Sequence, residues 1–144
     1  MPIMRPRPAP SGQDYVADAV SLGVNETMID RLVRHFYAQV REDPVLAPIF
    51  EPRIGDWEPH LQRMCTFWAS VMLRTGDYHG QPMPMHADLP VGAAHFDRWL
   101  ELFGTSARRV CGPAALLFIE RARRIAQSLE LGVATRRGLI LRND

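Results

Sequence analysis

A chain of 144 residues whose formal net charge is only +1 has no excess of either sign to offer nucleic acid or an anionic membrane, so neither is expected as a partner. Its two cysteines, Cys65 and Cys111, are too few for a disulfide framework, and each falls in an apolar helical pattern that suits a buried free thiol. No apolar run approaches a membrane span, and the opening Met-Pro-Ile-Met-Arg-Pro-Arg-Pro lacks the apolar centre of a signal peptide; a cytoplasmic address is the expectation. No flavin or nicotinamide fingerprint occurs, so redox chemistry would need an electron donor from outside the chain. Sustained polar–apolar alternation and internal repeats are also missing, which leaves an all-α chain.

What is present is helical. The length suits one domain, with residues 1–13 read as a disordered, proline-rich extension, 14–132 as the folded unit and 133–144 as a flexible tail. A short helix over 14–22 should end at Gly23. Asn25 caps the next, with Val24 and Ile29 placed as a hydrophobic staple, and Met28, Ile29, Leu32, Val33, Phe36, Tyr37 and Val40 on one face. Asp43-Pro44 stops it, and the proline-rich Pro44–Pro52 segment should pack inward through Leu46, Ile49 and Phe50. Asp56 is expected to cap a helix bearing Trp57, Leu61, Met64, Trp68, Val71 and Met72, with Pro59 harmless in its first turn and Gly76 at its end. Another helix begins near Ala93 and carries Phe96, Trp99, Leu100, Phe103, Ala107 and Val110. Gly112-Pro113 then breaks the chain before a last helix faced by Leu116, Ile119, Ala122, Ile125, Ala126 and Leu129 and closed by Gly132.

Two histidines stand out. His86 lies in Pro82-Met-Pro-Met-His86-Ala-Asp-Leu-Pro90, where three prolines forbid a long helix and fix a constrained loop between apolar helices. A neutral imidazole on such a perch is a good ligand for a transition metal or a haem iron. His60, three residues after Trp57 and four before Met64, points inward from its helix, an odd setting for an imidazole with nothing to meet. A flat apolar cofactor between helices, with one imidazole below and polar groups above, would satisfy both, together with Phe36-Tyr37 earlier in the chain and Trp99 later. The absence of Cys-x-x-Cys-His excludes a covalently attached c-type haem. His35 is read as surface, and His79 and His95 are given no role.

The succession Phe36-Tyr37, Val40-Arg-Glu-Asp-Pro44, Leu46-Ala-Pro-Ile-Phe50, Trp57-Glu-Pro-His60, Phe67-Trp68, Gly76-Asp-Tyr78, Gly80-Gln-Pro-Met83, His86 and Phe96-Asp-Arg-Trp99-Leu resembles the truncated haemoglobins of group III over about residues 25–130. The resemblance implies a truncated globin fold, a helical sandwich around haem b, with His86 as the proximal iron ligand. It implies that Tyr37 and Trp99 donate to an iron-bound ligand, that His60 occupies the distal position as a gate more than a fixed donor, and that Phe50 packs on the porphyrin. Phe36, Met64, Phe67 and Trp68 would line the distal side, and Arg63, Arg74 and Tyr78 are placed to meet the propionates. The chain departs from the pattern in a short link between Phe50 and Trp57 and in Pro59, which stiffens any gate.

The same resemblance implies oxygen, carbon monoxide and nitric oxide as ligands. Two hydrogen-bond donors on a charged acceptor, each worth about 1.5–3 kcal/mol, favour slow release, and hence sequestration or nitric oxide and peroxide redox chemistry with an external reductase over transport. Whether the protein is an enzyme, a nitric oxide dioxygenase or a peroxidase, stays open at this point. The competing reading is a haem-free helical interaction module in which the stripes are plain core.

Overall fold

The computed structural model describes residues 12–74 and 91–142, with side-chain burial for 16–74 and 91–134. Six α-helices and a 3-10 turn make up the described chain, and no strand occurs among these residues. In chain order they are α1 (Gly12–Ser21), α2 (Glu26–Glu42), α3 (Ala47–Phe50), α4 (Trp57–Leu73), α5 (Ala93–Val110), the 3-10 turn Gly112–Ala114 and α6 (Ala115–Arg142). The readings of residues 1–11 and of the loop bearing His86 lie outside the described residues.

The boundaries follow local chemistry. Gly23 takes φ +90, and Val24 N–H returns to Ala19 O at 3.0 Å, so the chain turns sharply out of α1 and buries Val24. Asn25 then caps α2 by accepting Met28 N–H at 2.8 Å, and Val24 and Ile29 both enter the core as the staple requires. The buried face of α2 is Ile29, Leu32, Val33, Phe36, Tyr37 and Val40. Three expectations fail instructively. Asp56 occupies the N-cap of α4 but its side chain makes no capping bond. Helix α4 stops at Leu73 with Arg74 in the left-handed region, φ 53, in place of a glycine. Gly132 does not close α6, which runs on to Arg142, because one interior glycine costs only about 1 kcal/mol and the next residue, Val133, is buried.

Helix α2 packs on both α4 and α5, α5 also packs along α6, and α1 lies against α4. The centre is an aromatic column. Phe103 stacks on Trp68 at 5.0 Å between centroids and on Trp99 at 5.3 Å, and Phe36 closes it edge-on from α2. Stacked and edge-on pairs add about 0.5–1.5 kcal/mol each beyond burial, so α2, α4 and α5 are fixed against one another at the level of the cavity described below.

A buried ion pair sets the corner after α2. The Asp43 carboxylate accepts Val45 N–H and Leu46 N–H, both at 3.0 Å, and Arg98 of α5 at 2.6 Å. The Arg98 hydrogen bond holds the Asp43 carboxyl below its ordinary value, and its burial opposes that shift only in part. Since the ionised form is the one the fold binds, the contribution is complete above about pH 4, the unfolded value, and is lost as pH falls through the lower folded value. Asp43→Ala should cost about 1–2 kcal/mol at neutral pH, with Arg98 still able to reach water, and should flatten the acid limb of stability against pH. Urea titrations at neutral and acid pH check both. Gly104 offers the opposite case: a Cβ there meets only the flexible end of Arg108 at 3.2 Å and Ile119 at 3.9 Å. Gly104→Ala should stabilise α5 by about 0.5–1 kcal/mol, read as a melting point raised by a few degrees.

Candidate ligand cavity

Between α2, α4, α5 and α6 lies a cavity of about 280 Å³, near the lower end of the range for bound small molecules. Leu46, Ile49 and Phe50 form one end, Met64, Phe67 and Trp68 of α4 one wall, and Val91, Phe96, Ile125, Ala126 and Leu129 the opposite side. Polar tips interrupt this apolar surface at a few points only: Tyr37, His60 and Trp99, with Arg53, Arg63 and His95 also on the lining.

Each polar tip is held by its element. Tyr37, buried on α2, meets Phe36 at 4.9 Å, Phe50 at 6.1 Å and the His60 ring at 5.0 Å and 87°. His60, in the first turns of α4, is partly buried and lies edge-on to Trp57 at 5.7 Å. Trp99 is locked by stacking on Phe103 and by Phe36 at 5.5 Å. His95 takes Gly92 N–H on Nδ1 at 3.1 Å, which puts the ring proton of the neutral form on Nε2.

Tyr37, Phe50, His60, Arg63, Met64, Phe67 and Trp99 are therefore brought together, with Trp68. Phe36 does not line the cavity; it sits one layer behind, against Tyr37 and Trp99. Arg74 is exposed and away from the lining. His86 and Tyr78 lie outside the described residues. Sequence reasoning missed Arg53 and Ile54, which sit in a turn with no periodicity to mark them, and His95. It also misread His35, whose Nδ1 lies 2.8 Å from the fully buried Ser106 hydroxyl and joins α2 to α5.

Among the described residues no three His, Cys, Asp or Glu converge on one point. The lining suits a largely apolar group that meets an imidazole, apolar side chains and the cations Arg53 and Arg63. The thiols take no part: burial pushes Cys65 up to about 11 and Cys111 up to about 12, so both stay protonated at neutral pH.

Comparison with known proteins decides the family. Residues 20–119 match the Bacterial-like globin family. The chain belongs to the bacterial-like globins. Within the family it is 36% identical, over 74% of this chain and 89% of the relative, to the group 3 truncated hemoglobin ctb of Campylobacter jejuni. The crystal structure of the group III truncated hemoglobin from Campylobacter jejuni superposes with a TM-score of 0.72 at 35% identity, covering 76% of this chain and 91% of that one. The hemoglobin of Chloroflexus aurantiacus superposes with a TM-score of 0.64 at 26% identity, covering 77% and 94%. The fold is the all-α truncated globin fold of group III, and membership implies a haem-binding globin whose class of ligand is the diatomic gases, oxygen among them. A haem-free helical module is not what this family supplies. No helix among the described residues is long and apolar enough to cross a membrane.

Proposed function

We propose that the globin holds haem b in this cavity through His86, and that it binds oxygen, carbon monoxide and nitric oxide on the side of Tyr37, His60 and Trp99. The observation that carries the reading is the convergence of these three polar-tipped rings on one otherwise apolar cavity. Haem, when bound, supplies an iron at which a diatomic molecule can be held and reduced. The chain supplies the rest. Tyr37 O–H and Trp99 Nε1–H are the donors a small, negatively charged ligand would need, and their rings are fixed by Phe36, Phe50 and Phe103, so little ordering remains to oppose binding. Met64, Phe67 and Trp68 line the same space with largely apolar surface, against which each donor is worth more than in solvent. Arg63, and with it Tyr78, would meet the propionates.

Tight holding of oxygen suits sequestration, or oxidation of nitric oxide and reduction of peroxide with an external reductase, better than transport. Mixing the oxygen-loaded protein with nitric oxide in a stopped-flow cell tests it. Stoichiometric nitrate formed faster than oxygen escapes supports the redox reading; oxygen released before any nitrate forms contradicts it.

A further inference from the structure

The wall beside His60 continues outward in layers. His60 lines the cavity from the first turns of α4 and is partly buried, with its Nε2 shielded from solvent. Trp57, one turn earlier on α4, is not part of the lining. Its ring meets His60 edge-on at 5.7 Å and 88°, and meets Tyr37 at 6.0 Å, while Tyr37 meets His60 from the cavity side at 5.0 Å. The three rings each touch the other two, so the imidazole is flanked by Trp57 and Tyr37. Trp57 is itself held from outside: the Arg41 guanidinium, in the last turn of α2, lies 4.6 Å from its ring centroid, and Arg41 Nε donates to Glu51, just past α3, at 3.2 Å. Glu51, Arg41, Trp57 and His60 form a line from surface to cavity that ties α2, the α3 corner and α4 together.

We propose that Trp57, clamped by Arg41, is a latch that keeps His60 turned inward and so sets how fast small ligands reach the cavity; this rests on the reading of the cavity as a haem site. For His60 to swing outward it must give up its edge contact with Tyr37, and Trp57 must tilt off the guanidinium. The Arg41–Glu51 ion pair, with side chains 49% and 44% exposed, is screened by salt and adds little. Stacking of a planar guanidinium on an indole survives salt better, so the latch is set mainly by Arg41 on Trp57.

The test is carbon monoxide association with the ferrous, haem-loaded protein after flash photolysis. Trp57→Ala should speed it about tenfold, the size of one lost aromatic contact, and Trp57→Phe, which keeps a ring edge, should restore most of the wild-type rate. Arg41→Gln should speed it about two- to threefold. In a His60→Ala background Trp57→Ala should add nothing. Equal acceleration with and without His60 would make Trp57 a plug in its own right and overturn the latch, as would an unchanged rate in Trp57→Ala. A second readout needs no haem: carbethoxylation of His60 by diethyl pyrocarbonate, followed by peptide mass, should quicken in Trp57→Ala. No change there also overturns the latch. A wild type that takes up no haemin, with His60 still unmasked by Trp57→Ala, would end the haem reading while the latch stands.

Discussion

Haem should be weakly held or absent in the His86→Ala variant, while the His60→Ala variant keeps a normal Soret band. On the proposed reading His86 is the iron ligand, and the sequence around it holds Pro82, Pro84 and Pro90, whose fixed φ leaves the chain less freedom to lose on ligation. The two imidazoles on the described lining, His60 and His95, are engaged by neighbours. His60 is flanked by Tyr37 and Trp57, and His95 spends Nδ1 on the Gly92 N–H, which leaves Nε2 protonated in the neutral ring and without a lone pair for a metal. Loss of a direct ligand should weaken haem by more than the roughly 10- to 100-fold that follows loss of a supporting partner. Haem transfer from each variant to an excess of apomyoglobin measures this. If the His60 variant loses haem and the His86 variant does not, the two sides of the cavity have been exchanged.

Replacing Tyr37 by Phe should speed oxygen dissociation by roughly one to two orders of magnitude, the rate equivalent of one charge-assisted hydrogen bond of about 1.5–3 kcal/mol. The substitution keeps the ring that packs on Phe36, Phe50 and Trp57, so the cavity should survive and only the donor should go. Trp99→Phe should act in the same direction, since a benzyl ring can keep the stack on Phe103 while the indole N–H is lost. Both donors address one small ligand, so the double variant should fall short of the product of the two single effects. Displacement of oxygen by carbon monoxide in a stopped-flow cell reads all three rates. Unchanged rates in both single variants would mean that neither side chain reaches the ligand.

Much of this arrangement is legible in the chain because its helices are amphipathic and their faces converge. The α2 face from Ile29 to Val40, the Asn25 cap and the inward packing of Leu46 and Ile49 follow from spacing, capping and proline alone. Tyr37, His60 and Trp99 come from three different helices, and periodicity places each on an inner face without saying that they meet; the succession of motifs suggested that, and the packing of α2 on α4 and α5 brings it about. What periodicity could not show are residues whose position depends on a turn or on a partner far along the chain. Arg53 and Ile54 reach the cavity through the bend after α3. His35 turns inward because Ser106, 71 residues away, offers it a hydroxyl. Asp43 reads as a helix stop, yet it is also the anchor for Arg98, a pairing that local sequence cannot reveal. Phe36, which the resemblance puts on the distal wall, is not on the lining and packs edge-on against the lining residues Tyr37 and Trp99.

The central claim is that the cavity between α2, α4, α5 and α6 receives one haem. Titration of the haem-free protein with haemin, followed through the Soret band, tests it most directly. The account predicts a sharp band that grows linearly and saturates at one equivalent per chain; a broad absorbance that rises without saturation, like that of haemin in buffer, would contradict it.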